Sequence, residues 1–296
     1  MMNFTLVPFL LGVNAIFPQG MFNNESFGLH YNYTLTKTTV VYREPFQVIK
    51  LFASLLCRND DDFDSLFCFL YNIKYESSLR YKTHTEPTDI IQEDINFNSS
   101  FRIKFNATGV DKIFTCGRSP NKDIIKEIGN LFNIGNELKV HIKETHPRVY
   151  GQQERITFDV QETISLGHCD TCYNIKIEKE KNKEIKKLPH FQVIFLEFKN
   201  KGKIRVDLEK KRVKCNYSRE FTTFMMGMEM AEHTHLMKVF DDRFQITTTR
   251  NVQLPLDTYN SDYKHVFRET MLLYLNNISV SSTIPLSSTG CVWTIL

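Results

Sequence analysis

Two-residue alternation of apolar and polar side chains recurs along most of the chain and is broken by one helical segment. This pattern constrains the fold most. Phe101–Phe105 (F-R-I-K-F) alternates cleanly, the period of a strand with one buried face. Leu29–Val41 alternates in its first half and is rich in Tyr and Thr, which favour strands. Further strand-like runs are Phe46–Cys57, Leu66–Ile73, Val110–Cys116, Lys139–Ile142, Arg155–Leu166, Tyr173–Ile177, Phe191–Phe198, Ile204–Leu208, Phe244–Thr249 and Met271–Val280. Asn59-Asp60-Asp61-Asp62 and Ala107-Thr108-Gly109 read as hairpin turns. Glu178–Lys187, with nearly balanced charge, reads as a solvated loop or hairpin tip.

The break in the pattern is equally specific. Ser119 is a candidate N-cap with Pro120 at the first helical position. Ile124, Ile125, Ile128, Leu131 and Phe132 then form one apolar face, and Gly135 is a candidate stop. The sequence predicts a helix over 120–132 inside a chain of ten or more strands. So large a sheet must close or be covered, or its edges aggregate. The expected fold is mainly β: a large antiparallel β-barrel or coiled sheet wrapped around a central amphipathic helix.

Composition bounds the function. The 24 Phe and 12 Tyr among 296 residues supply a substantial core and argue against disorder. The 37 basic residues are nearly cancelled by 34 acidic ones, which does not suit nucleic acid. A mean hydropathy of −0.31, with no apolar run of about 18 residues after the N-terminus, argues against a multi-spanning membrane protein.

The N-terminus points to export. Phe4–Phe17 is an apolar stretch of signal-peptide length, and Val13-Asn14-Ala15 resembles a small-x-small cleavage site. Residues 1–15 are therefore expected to be a signal peptide, although no Lys or Arg precedes the stretch; the alternative is a buried N-terminal strand. Glycosylation sequons lie at Asn24, Asn32, Asn98, Asn106, Asn216 and Asn277. Asn24, Asn98, Asn216 and Asn277 are the expected acceptors, since Asn32 and Asn106 fall on strand-like runs. Seven cysteines (Cys57, Cys68, Cys116, Cys169, Cys172, Cys215 and Cys291) suit an oxidising compartment.

Few constellations carry chemistry. Cys169-Asp170-Thr171-Cys172 is a single CxxC, with neither the second pair of a zinc site nor the βαβ context of a redox motif. His233-Thr234-His235 puts two imidazoles on one face if it is a strand, but no third ligand has identifiable spacing. These two are metal candidates only, the alternative being a solvated loop. Met225, Met226, Met228, Met230 and Met237 form a cluster suited to irregular core filling or to an adaptable lipid or partner surface. No G-x-S-x-G, H-E-x-x-H, P-loop or G-x-G-x-x-G is present, so an enzyme is not expected.

Ser165–Tyr173 (S-L-G-H-C-D-T-C-Y) resembles the LG-x-C-x-T-x-Y segment of vitellogenins. Phe101–Phe105 with Gly109-Val110, followed by an amphipathic helix, is similar to that family's F-x-I-x-F…G-V hairpin and helix. The Tyr31-x-Tyr33 strand and Lys214-Cys215 fit the same order, over roughly residues 25–280. The resemblance implies a secreted lipid carrier of the large lipid transfer protein family, whose N-terminal module is a β-barrel around a helix and takes part in receptor binding. It also implies a barrel disulfide between Cys169 and Cys215. Cys172 has no counterpart and could compete with Cys169. A hairpin bridge between Cys57 and Cys68 is a further candidate from spacing across the acidic turn.

The resemblance does not reach the family's helical superhelix, its later lipid-enclosing sheets or a polyserine tract. A bulk lipid load is therefore not implied. The expectation is a barrel module at 21–280, with residues 281–296 a frayed tail. It would bind lipid, lipoprotein or a cell-surface receptor through an exposed apolar patch. No cofactor is expected, and bound lipid is the candidate ligand. The alternative is a lipid-free extracellular module acting as receptor ligand, storage or recognition protein. A third reading is a metal-binding protein using His233 and His235.

Overall fold

Several alternating runs become strands much longer than their sequence signatures. The computed structural model describes residues 2–7, 11–15, 28–42, 45–59, 65–80, 88–95, 98–106, 109–117, 119–133, 148–150, 153–164, 167–179, 191–195, 204–225, 228–240, 243–254, 264–281 and 292–296. In chain order the strands are β1 (Met2–Val7), β2 (Leu11–Ala15), β3 (Gly28–Val41), β4 (Phe46–Asn59), β5 (Ser65–Arg80), β6 (Thr88–Ile95), β7 (Ser99–Asn106) and β8 (Gly109–Cys116). After helix α1 (Lys122–Phe132) come β9 (Arg148–Tyr150), β10 (Gln153–Ile164), β11 (Gly167–Lys179), β12 (Phe191–Phe195) and β13 (Ile204–Tyr217). Helix α2 (Arg219–Met225) leads to β14 (Glu229–Phe240), β15 (Arg243–Leu254), β16 (Lys264–Ser281) and β17 (Trp293–Ile295). The predicted strand at 139–142 lies outside the described residues.

Fourteen of these strands form one antiparallel sheet, in the order β17-β8-β7-β5-β4-β3-β16-β15-β14-β13-β11-β10-β9 with β6 beside β5. Most neighbours are consecutive in sequence, as hairpin connections require. The ladder from β3 to β16 joins the two ends of the chain, pairing Tyr33 with Leu275 and Leu35 with Leu273. Among the described residues no ladder joins β9 to β17, so the sheet is coiled but not closed.

The inner face is set by alternation. Tyr31, Tyr33 and Leu35 on β3, Leu51, Ala53 and Leu55 on β4, and Phe101, Ile103 and Phe105 on β7 are buried in one cluster. Ile175 and Ile177 on β11, Leu208 on β13, Met237 on β14, Ile246 on β15 and Leu273 on β16 continue it. Two bulges keep the parity. Asn72 (φ 52°) and Lys214 (φ 47°) take left-handed backbone where β4–β5 and β11–β13 shift register.

Helix α1 lies against this face. Ile124, Ile125, Ile128, Leu131 and Phe132 are all buried, and Phe132 meets Tyr33 edge-on at 5.8 Å. The helix touches β8, β15, β3 and, through its C-cap carbonyl, β13. Contact with strands so far apart in the sheet requires the sheet to curve around it. Gly129 allows the closest approach, since a Cβ there would lie 2.2 Å from Ile113 Cδ1 on β8.

Two expectations are corrected. The helix begins at Lys122 rather than Pro120. Ser119 Oγ accepts from the Asn121 N–H at 3.2 Å, holding the preceding turn instead of capping the helix. The tail is not frayed throughout: Trp293–Ile295 pairs with β8, whose outer edge offers unpaired backbone groups. Leu296 N also donates to Ile113 O at 2.9 Å. Within the expected leader, β1 pairs with β2 and β2 with β12, forming a separate three-stranded sheet.

Cys57 is bridged to Cys68 across the β4–β5 ladder and Cys169 to Cys215 across β11–β13, with Cα separations of 4.1 and 4.0 Å. Cys116 is also disulfide-bonded. Cys172 is free and exposed. On a strand, the two cysteines of a CxxC face opposite sides of the sheet, so Cys172 does not compete with Cys169.

Candidate functional site

On five neighbouring strands the inward-facing series changes from apolar to polar at one level of the sheet. β13 presents Val206 and Leu208, then Lys210 and Arg212; β14 presents Val239 and Met237, then His235 and His233. β15 presents Phe244 and Ile246, then Thr248 and Arg250; β16 presents Leu275, Leu273 and Met271, then Glu269; β3 presents Tyr33 and Leu35, then Lys37. The register aligns them: Lys210 opposes His235, His235 opposes Thr248, Arg250 opposes both His233 and Glu269, and Met271 opposes Lys37. A polar band thus crosses an otherwise apolar inner face.

Glu162 on β10 organises one end. Thr171 Oγ1 donates to it at 3.3 Å, Tyr173 donates its phenol, Lys210 approaches at 3.3 Å and Arg212 at 3.4 Å. Burial opposes ionisation of Glu162, but the two cations prevail and hold its carboxyl below the usual range. Burial lowers Lys210 to about 8 against the attraction of Glu162; the pair is charged at neutral pH. Lys210 Nζ also donates to the Asn133 carbonyl at 2.8 Å, tying the helix C-terminus to the band. At the other end Lys37 meets Glu127 of α1 at 2.7 Å and Glu269 at 2.9 Å. Arg250 meets Glu269 at 3.2 Å and Glu127 at 3.9 Å.

His233 and His235 lie between these networks and are buried. Burial, reinforced by Arg212, Arg250 and Lys210, lowers His233 to about 2. His235 is pushed well below its ordinary value, chiefly by burial. Both imidazoles are neutral. Arg212 stands 2.9 Å from His233 Nε2. A guanidinium only donates, so Nε2 accepts and Nδ1 carries the proton.

A cavity of about 450 Å³ opens beside the band, between α1, β8, β17 and the β13–β16 face. Its polar wall includes Arg212, His233, His235, Thr248, Arg250 and Glu269. Its apolar wall includes Val110, Ile113, Leu131, Met271, Ile295 and Leu296. The volume is in the range of small-molecule sites. The two walls differ in chemistry, which suits a ligand with one polar end and one apolar end.

The predicted site residues are divided among several places. His233 and His235 share a buried face of β14 rather than a solvated loop, because strand parity turns both inward. Among the described residues no group of three His, Cys, Asp or Glu side chains could hold a metal. Met237 is part of the core and not of a surface, opposing Leu208 and Ile246. Met228 and Met230 are half-buried; the side chains of Met225 and Met226 lie outside the description. Asn98, Asn216 and Asn277 are exposed, with Asn277 Oδ1 accepting from Asn32 Nδ2 at 2.6 Å. Asn24 and the Asn106 side chain are outside the described part. The vitellogenin-like run is structural: Cys169, Thr171 and Tyr173 face inward as bridge and Glu162 partners. The sequence reading missed Glu162, Lys210, Arg212, Arg250 and Glu269, although charged residues at inward parity in Leu208-x-Lys210-x-Arg212 and Ile246-x-Thr248-x-Arg250 could have revealed the band.

No protein-family model and no curated protein matches this chain. Among solved structures it is similar to a chain from a study of lipid–protein interactions in lipovitellin, with 13% sequence identity and a TM-score of 0.49. The likeness covers 86% of this chain and 26% of that one, so this chain spans about a quarter of that chain's length.

Proposed function

We propose that this protein is a secreted, non-catalytic, vitellogenin-like module that binds one small amphiphilic lipid. The observation that carries the reading is the cavity of about 450 Å³ with one charged and one apolar wall. It holds a single acyl lipid rather than a bulk load. The Ser165–Tyr173 resemblance and the Cys57–Cys68 and Cys169–Cys215 bridges support an exported protein of that family. On this reading residues 1–15 are removed on export, 21–280 form the module, and Asn24, Asn98, Asn216 and Asn277 carry glycans.

A second reading rests on a different observation. Ile90 and Ile91 on β6 are 55% and 62% exposed and offer an apolar docking surface for a receptor or lipoprotein. The Met segment is too buried at Met237 to provide it.

Lipid extraction and mass spectrometry on protein secreted from a eukaryotic host, without detergent, tests the first reading. About one acyl lipid per chain is expected. Lipid-free protein would favour the docking module.

A further inference from the structure

We infer that the cavity's polar wall is an oxyanion site, which takes the carboxylate or phosphate head of the ligand; this rests on the lipid-binding reading. Three donors in that wall lack acceptors: Arg212 Nε, Arg250 Nε and His233 Nδ1 have no hydrogen-bond partner among the described residues. All three belong to side chains that line the cavity. Arg212 stands 2.9 Å from His233, and Arg250 opposes His233 in the ladder. Two of the donors are guanidinium nitrogens, which never accept, and the third is fixed as N–H by the Arg212 contact. Buried donors without acceptors are costly, and an anionic oxygen is the acceptor that satisfies them best.

The charges agree. Among the described residues Lys37, Lys210, Arg212 and Arg250 pair with Glu127, Glu162 and Glu269, which leaves one positive charge in excess there. The rim adds Lys112 and Lys126 against Asp111. The apolar wall of Val110, Ile113, Leu131 and Met271 then receives what the oxyanion carries. The donor atoms themselves are buried, so entry requires a side chain to turn. Arg250, 22% exposed, is the one with room to do so.

The test is calorimetric titration of the full-length, disulfide-intact chain, stripped of lipid, with three probes. These are dodecanoate, dodecanol and inorganic phosphate, the two lipids kept below their aggregation concentrations. Dodecanoate is expected to bind at least tenfold more tightly than dodecanol, and R250Q to remove most of that preference. Should R250Q fail to fold, R250K keeps the charge and is expected to lose part of the preference. Equal binding of the two lipids, unchanged in R250Q, would overturn the oxyanion site while leaving the lipid module standing. Phosphate binding lost in R250Q, with neither lipid bound, would keep the site and overturn the lipid reading. Binding of none of the three overturns the oxyanion site, and the lipid reading then rests on extraction of the secreted protein.

Discussion

His233 and His235 carry the clearest consequence at the scale of single residues. Folded, both are neutral, enclosed by Lys210, Arg212 and Arg250, with Glu162, Glu269 and Thr248 beyond. Unfolded, both take up protons below their ordinary value of 6.5. The unfolded chain then binds more protons than the folded one, so acid favours unfolding. The contribution is fully present above pH 6.5. Each imidazole loses up to about 1.4 kcal/mol per pH unit below it. Denaturant midpoints are expected to fall between pH 6.5 and 5, a window above the one in which Glu162 protonates and below the one near pH 8 in which folded Lys210 loses its proton. A midpoint unchanged down to pH 5 would contradict neutral buried imidazoles.

Glu162 is the second residue-scale case. Replacing it by Gln leaves Lys210 and Arg212 without their carboxylate in a buried setting, which costs about 3–5 kcal/mol. The loss is measurable by urea unfolding of E162Q. A change below 1 kcal/mol would show that the hub contributes nothing net. None of this was legible from residue types alone. Lys210 and Arg212 sit within a charged run, Glu209-Lys210-Lys211-Arg212, that reads as a solvated face. Only knowing that Leu208 points inward places the even positions inside.

At the scale of elements, the sequence carried strand identity well and strand length poorly. Phe101–Phe105 alternates because one face is buried and the other is wet, whereas Met271–Leu275 (M-L-L-Y-L) is apolar throughout and alternates only in burial. The alternation fades where the inward face itself turns polar, as in β13 beyond Leu208 and β14 before Met237, yet backbone pairing continues. The same fading hid the site, since the residues that form it are those that break the pattern. The helix was legible through its apolar face, but not its first turn, because the Ser119 hydroxyl serves Asn121. The β10–β11 hairpin gives the element-scale prediction. Gly167 has φ +148°, and a Cβ there would lie 2.2 Å from the Asn216 carbonyl oxygen of β13. G167A should destabilise by about 2–3 kcal/mol and displace the ladder beside the Cys169–Cys215 bridge. Calorimetric melting checks the loss, and an unchanged midpoint would contradict so close a packing. G117A is the contrast: Gly117 has positive φ but nothing within 4 Å of the added Cβ, so its cost is backbone strain alone.

For the whole molecule, a sheet that coils without closing leaves its interior to be filled by something other than strands. Helix α1 packs into it, with Ile125, Ile128 and Phe132 wholly buried. The cavity lies beside the helix and faces the polar band. The long β3–β16 ladder and the bridges across β4–β5 and β11–β13 hold the surrounding wall. By loop entropy, the bridges contribute about 3 and 4 kcal/mol for separations of 11 and 46 residues. A wall so held can keep a buried charge network in place while one side opens to a ligand. The central claim is that this space beside α1 is the ligand site. Native mass spectrometry of the intact secreted chain, alongside M271W, tests it most directly, because Met271 lines both the core and the cavity. The account predicts one bound lipid mass on the wild-type chain and its loss in a folded M271W chain. A lipid mass retained undiminished in M271W would place the ligand elsewhere and contradict the account.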